Sequence, residues 1–354
     1  MAIALVSTPF VAVPPVAYGG TELIVAMLAR ELAARGQRVI LYATGDSKLP
    51  GVQIEWLYPE AIWPPNEYHE LNHAQFALRD ILRRNDVELV HTHISAATAF
   101  ADLIDVPMIC TLHHAYDEAL HELYAGAATE SLTLVAISRR QRDLLGHDLE
   151  AEVVHHGLDA ESYPLGHGGP GAAFVGRFAQ EKGVAHALDA ARRARVPLRL
   201  AGRPHWKDEE YFRAEIEPRL RRHGMVWMGE LSHAPKVALL GSSLATLFPI
   251  EWEEPFGLVM IESMLCGTPV ISFARGSAAE VVDPGVTGWV VEDLDEMVWR
   301  LRELAARPWR FDRERCRARA VTRFSSAAMT DNYQALYAAA IQRQRWSRNE
   351  RAYP

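Results

Sequence analysis

Two glutamates stand at an x7 spacing in the stretch Glu251-Trp252-Glu253-Glu254-Pro255-Phe256-Gly257-Leu258-Val259-Met260-Ile261-Glu262. An apolar run, Ala245–Phe248, precedes them and reads as a strand. A helix is expected to open near Gly257 and to end at Gly267, before Thr268-Pro269. The start of a helix carries free N–H groups and a partial positive charge, a natural seat for phosphate. Glu254 falls just outside that end, and Glu262 lies more than a turn inside it. A carboxylate can accept two hydrogen bonds from a sugar diol. The pair can therefore hold separate parts of one elongated ligand, with phosphates between them. The plainer reading makes Glu254 a helix cap and Glu262 a solvated surface residue. The apolar residues flanking Glu262 argue instead for its partial burial.

A second cluster is Gly176-Arg177-Phe178-Ala179-Gln180-Glu181-Lys182-Gly183. It follows a strand and opens a helix, so Arg177 and Lys182 can clamp a diphosphate from one side. It is not a P-loop, because G-x-x-x-x-G-K-[ST] is absent. A third is Tyr18-Gly19-Gly20, where paired glycines let the backbone approach an anion or simply make a tight turn. No G-x-G-x-x-G fingerprint accompanies it, which counts against a nicotinamide enzyme.

Histidines gather at strand ends: His91 and His93, His113 and His114, and His155-His156 before Gly157. They can reach a sugar or an acceptor hydroxyl. A metal site from His91, His93 and His113 lacks a carboxylate or cysteine at ligand spacing, so no metal residue is assigned. Asp293-Leu294-Asp295 resembles a D-x-D metal motif, but its place at a helix start makes capping the better account.

These residues need a scaffold that repeats. Ile3–Val6 reads as a strand, followed by a Pro/Gly loop. Thr21 can cap the next helix, with Glu22 in its first turn. Gly36 ends that helix before the strand Val39–Tyr42. Glu88–Ile94, Met108–His113 and Leu132–Ile137 add strands. The pattern restarts with Ala172–Gly176, the helix Val184–Ala194, and strands at Leu198–Ala201, Met225–Met228, Ala245–Phe248 and Val270–Phe273. Alternating strands and helices imply parallel sheets, hence an α/β fold of two Rossmann-like domains facing across a cleft. Ligands of such sheets bind beyond the carboxyl ends of the strands. The Gly/Pro-rich stretch Tyr163–Pro170 looks like a linker. The expected division is residues 1–165 and 166–323, one Rossmann-like domain each. Residues 324–354 form a helix packing back toward the first domain, plus a tail read as disordered.

Composition sets limits on partners. The chain has 354 residues, 49% hydrophobic and 23% charged, ordinary for two globular domains. Its 37 basic and 45 acidic residues leave a net charge of −8, unsuited to non-specific nucleic-acid binding or to anionic lipid held by charge alone. Cys110, Cys266 and Cys316 are odd in number and far apart, which fits a reducing cytoplasm rather than a disulfide framework. The start, MAIALVSTPFVAVPP, lacks an early basic residue and is broken by prolines, unlike a signal peptide. No apolar stretch reaches membrane-spanning length.

In order along the chain, the motifs resemble glycosyltransferase family 4, retaining enzymes of the GT-B fold. Pro15 to Glu22 is similar to that family's glycine loop. Val90-His-Thr-His93 and Thr111-Leu-His-His114 are similar to its N-domain strand ends. Val135-Ala-Ile-Ser138 and Val153–Asp159 are similar to the segments before its domain junction. Gly176–Gly183 resembles its phosphate clamp, and Glu254-x7-Glu262 around Glu-Pro-Phe-Gly its most specific signature. Glu280-Val-Val and Thr287-Gly-Trp-Val-Val resemble its closing elements. His155-His156 departs from a frequent Pro-Asn, and His113-His114 doubles the usual single histidine. His113, by its place after Thr111-Leu112, is the one assigned.

The resemblance implies a nucleotide-sugar donor, with UDP expected from family frequency, residues 166–323 being the nucleotide-sugar-binding domain and 1–165 the acceptor-side domain. Glu262 would hold the ribose hydroxyls, and Arg177 and Lys182 would neutralise the leaving diphosphate. The N–H groups of Gly257, Leu258 and Val259, with the Gly19-Gly20 loop, would complete the phosphate seat. Glu254 and His113 would grip hydroxyls of the donor sugar. No obligatory metal or other cofactor is then expected. Retention would follow same-face attack, since no carboxylate stands out as a covalent nucleophile. The acceptor would be a saccharide or small molecule, for which Trp56, Tyr58, Trp63 and Tyr68 offer aromatic faces. Alternatives are a GT-B nucleotide-sugar 2-epimerase and a non-catalytic nucleotide-sugar-binding subunit. A pyridoxal-phosphate phosphorylase would need a late lysine, and no Lys follows Lys236.

Overall fold

The computed structural model describes residues 2–16 and 19–352, the last six of these by backbone alone. Tyr18 of the first glycine motif lies outside the described residues. The chain forms two compact units, Met1–Gly157 with Ser326–Pro354, and Leu158–Ser325.

Unit 1 is built on seven strands: β1 (Ala2–Val6), β2 (Arg38–Ala43), β3 (Gln53–Trp56), β4 (Val87–Thr92), β5 (Met108–Leu112), β6 (Leu132–Ala136) and β7 (Ala151–Val153). Every pairing is parallel, in the order β3-β2-β1-β4-β5-β6-β7. β1 and β5 are buried along their whole length, as runs covered on both faces must be. The short strands β3 and β7 were not anticipated. Gln53, Glu55 and Glu152 make their runs polar, and only pairing to β2 and β6 defines them.

Unit 2 carries β8 (Ala172–Val175), β9 (Leu198–Ala201), β10 (Met225–Trp227), β11 (Thr246–Phe248), β12 (Val270–Phe273) and β13 (Gly288–Val291), all parallel, ordered β10-β9-β8-β11-β12-β13. In both sheets the order turns back beside the first strand, at β1/β4 and β8/β11. That reversal is where an open α/β sheet leaves a crevice at its carboxyl edge.

Three local expectations change. The stretch Tyr163–Pro170 is packed into unit 2 rather than strung as a linker. Gly166 N–H donates to the Cys266 carbonyl at 3.0 Å, and Gly168 N–H to the Gly241 carbonyl at 2.9 Å. A Cβ on Gly166 would lie 2.1 Å from the Gly241 oxygen, so this glycine serves close approach, not flexibility. The unit boundaries accordingly fall at Gly157/Leu158 and Ser325/Ser326, not at 165/166 and 323/324. There Leu158 N–H donates to the Phe324 carbonyl at 2.9 Å, so the chain enters and leaves unit 2 through paired backbone.

Thr21 is no cap: the helix Gly20–Ala34 starts after Gly19, without a side-chain cap. The tail read as disordered continues the helix Ser326–Ala352. That helix lies on unit 1, where Ser326 Oγ donates to Glu31 (2.7 Å) and Arg35 pairs with Asp331 (2.6 Å). Further along, Arg343 donates to Thr133 Oγ1 (3.0 Å) and Gln344 to the Asp105 carbonyl (2.9 Å).

Candidate active site

In unit 2 the loop after β8 is pinned by its own glycines and one aromatic ring. Phe178 is fully buried, 6.1 Å from the Phe174 ring and 6.0 Å from that of Phe212. Its neighbour Arg177 is thereby held at the strand's carboxyl end. Gly183 has φ +70°, and a Cβ there would lie 1.8 Å from the Pro249 carbonyl oxygen. The two loops also share the bond from Glu251 N–H to the Glu181 carbonyl, 2.9 Å. This packing brings Lys182 to Glu254.

The Lys182 ammonium is ion-paired with Glu254 Oε2 and sits 4.6 Å from the centre of the Trp252 ring. Trp252 Nε1–H donates to that same oxygen at 2.8 Å. The capping role is thereby excluded for Glu254. Behind it, Gly276 and Ser277 hold the backbone. Ser277 N–H donates to the Glu254 carbonyl (3.0 Å), and Ser277 Oγ donates to the Phe256 carbonyl (2.7 Å). A Cβ on Gly276 would come within 2.4 Å of the Glu254 backbone nitrogen and oxygen. The helix Leu258–Leu265 then begins from Gly257 (φ +78°) with no side-chain cap. A helix start without a side-chain cap suits an external anion.

Arg177 is paired with Glu181, and its Nε lies 3.7 Å from Asp208. Any anion reaching these cations would have to compete with Glu181 for Arg177 and with Glu254 for Lys182. Both cations are thus kept compensated and ordered. Glu262 is 4% exposed, so the burial anticipated from its apolar flanks is found. Its Oε1 accepts from Tyr163 OH (3.0 Å) and from Lys236 Nζ (2.5 Å). Burial and the adjoining carboxylate push the Tyr163 hydroxyl pKa up, so it stays a donor. Glu262 Oε2 makes no hydrogen bond within the protein and is available to a diol.

Lys236, Tyr163 and Trp252 were missed as site residues. Trp252 stands in the same stretch as Glu254 and could have been found there, whereas no spacing links Tyr163 or Lys236 to the glutamates. Tyr163 was masked by the apparent linker, and Lys236 lies on the helix His233–Gly241, which meets Glu262 only once folded.

In unit 1, Gly19 precedes the helix Gly20–Ala34, and a Cβ on it would lie 2.8 Å from Pro15 Cβ and 3.0 Å from Glu22 Oε2. Glu22 is buried and accepts from Thr8 Oγ1. Burial raises its carboxyl pKa. The histidines assemble because β4 and β5 are neighbours. His93 Nδ1 and His113 Nε2 are hydrogen-bonded at 2.9 Å, and the His156 ring stacks on His113 at 5.3 Å and 22°. His91, 4.3 Å from His93, is fixed at both nitrogens, by Tyr337 OH (2.7 Å) and Thr111 Oγ1 (2.8 Å). His114 is exposed and outside this cluster, its carbonyl accepting from Gln141 Nε2 at 2.7 Å. Desolvation holds the His91 and His156 pKa values down at about 3, and those of His93 and His113 well below the ordinary range. All four rings are therefore neutral at physiological pH.

Among the described residues no group of three or more His, Cys, Asp or Glu is arranged to hold a metal ion. Asp293 caps its helix by accepting from Glu296 N–H at 2.9 Å. No helix of the described residues is long and apolar enough to cross a membrane.

Two family models match consecutive parts of the chain: Glycosyltransferase Family 4 over residues 18–162, and Glycosyl transferases group 1 over residues 159–323. A glycogen synthase of Mycobacterium tuberculosis is 29% identical over 330 residues, covering 78% of this chain and 79% of its own. Among solved structures, a glycosyltransferase involved in avilamycin A biosynthesis superimposes with a TM-score of 0.72 at 24% identity, covering 97% of this chain and 98% of its own. An Anabaena protein, HepE, solved in complex with UDP-glucose, superimposes with a TM-score of 0.74 at 17% identity, covering 96% and 100%. The paired parallel-sheet units, the two family matches and these superpositions agree: the chain belongs to glycosyltransferase family 4 and has the GT-B fold.

Proposed function

We propose that the protein transfers a hexosyl group from a nucleotide-diphosphate sugar, a UDP-sugar, to a hydroxyl of a saccharide or small-molecule acceptor, with retention and without an obligatory metal. The observation that carries this reading is the meeting of two loops of unit 2, which brings Lys182 to Glu254 just ahead of the uncapped helix start at Gly257. A cation, a carboxylate and free backbone N–H groups lie together there. Departure of a sugar diphosphate builds negative charge, and preorganised cations and amides stabilise it most in the transition state.

In this reading Lys182, Arg177 and the N–H groups of Gly257, Leu258 and Val259 receive the diphosphate. Glu254 accepts from donor-sugar hydroxyls. Glu262 accepts from the ribose through Oε2, while Tyr163 and Lys236 occupy Oε1. In unit 1, Gly19-Gly20 and His113 are assigned to the same donor. The structural relatives solved with UDP and UDP-glucose support the choice of base. For the acceptor, Trp56, Trp63 and Tyr68 are 50%, 71% and 75% exposed between the end of β3 and the start of the following helix, Glu67–Arg83, the solvent-facing aromatics a saccharide can stack on. Three free, buried cysteines fit a cytoplasmic setting.

A thermal-shift screen of UDP-, GDP- and ADP-sugars, with and without chelator, tests the donor. UDP-sugars should raise the melting point most, since ligands of the native state stabilise it. A larger shift from GDP- or ADP-sugars would reassign the base, and loss of transfer on chelation would overturn metal independence. NMR of the first-formed product reads the anomeric configuration.

A further inference from the structure

We infer that His93 is a positioning residue that donates its Nδ1–H to His113 Nε2, so that His113 presents a protonated Nδ1 to the donor sugar as a neutral hydrogen-bond donor and not as a base. The tautomer rests on geometry alone; its use on a sugar hydroxyl rests on the reading above.

The two rings are joined by one hydrogen bond, His93 Nδ1 to His113 Nε2, at 2.9 Å, so one of these nitrogens carries the shared proton. The deciding atom is the other nitrogen of His93. Its Nε2 is buried, in a residue 2% exposed, and has no hydrogen-bond partner. Four protonation arrangements make the bond: either ring donates, and the donating ring is neutral or cationic. Three of the four place a hydrogen on His93 Nε2, where no acceptor exists. Orphaned buried N–H groups are rare, and stranding a donor forfeits its whole hydration. Only neutral His93 donating from Nδ1 leaves Nε2 as a bare lone pair.

The surrounding rings hold this geometry. His156 stacks on one face of His113, restricting its plane. His93 packs 4.3 Å from His91, whose two nitrogens are tied to Tyr337 and Thr111, and Thr111 Oγ1 also bonds Tyr333 OH at 2.8 Å. Burial and the neighbouring imidazoles hold the pKa values of His93 and His113 well below the ordinary range, in keeping with neutral rings. With Nε2 occupied, His113 has one nitrogen left, and Nδ1 makes no hydrogen bond within the protein. A free imidazole in water prefers its proton on Nε2. His93 therefore imposes the less common tautomer and turns a group easily taken for a general base into a donor.

The test is long-range 1H–15N correlation on protein labelled with 15N-histidine, with His113 identified by its loss in His113→Gln. Near pH 7.5 His113 should show a protonated Nδ1 and a bare Nε2. A protonated Nε2, or a cationic ring, overturns the inference. In His93→Leu the His113 proton should move toward Nε2, with kcat/KM for the donor falling about tenfold, the size of one lost hydrogen bond. In His93→Asn, whose amide can still donate from the same place, the tautomer and most of the activity should return. An unmoved tautomer in His93→Leu, or a moved one with unchanged kcat/KM, removes the positioning role. Should His93→Leu not fold, the wild-type spectrum and His93→Asn still decide. Separately, normal transfer by His113→Ala would sink the donor contact while leaving the tautomer assignment standing.

Discussion

Lys182 Nζ and Glu254 Oε2 form an ion pair across two loops of unit 2, on an oxygen that also accepts from Trp252 Nε1–H at 2.8 Å. The side chains of Lys182 and Glu254 are only 21% and 13% exposed, so the pair is screened much less than a surface one. Each group orders the other. The rotamers of both side chains are thereby set in a partly dry place.

Lys182→Ala removes the charge assigned to the leaving diphosphate. Turnover at saturating donor should fall about 10²-fold or more, as losing one transition-state electrostatic contact does. Near-normal kcat would remove Lys182 from the clamp.

Glu262 and Lys236 separate binding from chemistry. Glu262→Ala should weaken nucleoside-diphosphate binding, read by calorimetry, more than it slows turnover of bound donor. Unchanged affinity would end the ribose assignment. Lys236→Met leaves a buried carboxylate without its cation and should cost about 3 kcal/mol in denaturant unfolding, the lower edge for breaking such a pair because Lys236 still meets water. A loss under about 0.5 kcal/mol would mean the pair is energetically a surface one.

Gly276→Ala forces a side chain onto the Glu254 backbone at a residue with φ +54°. Activity should drop, and stability should fall by roughly 1–3 kcal/mol. Gly36→Ala, at φ +79° with nothing within 4 Å of the added carbon, is the control. It should cost only the backbone term, about 1 kcal/mol, with activity intact. Equal effects at both sites would show that contact with Glu254 is irrelevant.

Acid should destabilise unit 1. His73, His91 and His156 are buried, with pKa values lowered by desolvation to about 4, 3 and 3. Their unfolded values lie near 6.5. Between these limits the unfolded chain binds protons that the native state refuses, so stability falls as pH drops from about 6.5 toward 4. Each histidine should contribute about 2 kcal/mol of loss by pH 5. Unfolding free energies equal at pH 7 and pH 5 would contradict the burial of these rings in neutral form.

Much of the fold was legible in the primary structure because two periodicities leave marks that need no partner. Leu198–Ala201 and Val270–Phe273 were read to the residue as strands, and Val184–Ala194 as a helix. Strands buried on both faces must be continuously apolar, and a half-buried helix must repeat at its own pitch. The candidate groups Glu254, Arg177, Lys182 and His113 were legible because strand-end loops in open α/β sheets mark where ligands bind, and Glu262 because of its apolar flanks. What those groups touch was not visible. The Glu254–Lys182, Glu262–Lys236 and His113–His93 contacts join residues far apart in the chain, and no local pattern encodes such a distance. Tyr163–Pro170 shows the same limit in reverse. Glycine signals backbone freedom in the sequence, but only the packed neighbour reveals that at Gly166 the missing side chain makes room for the Gly241 backbone.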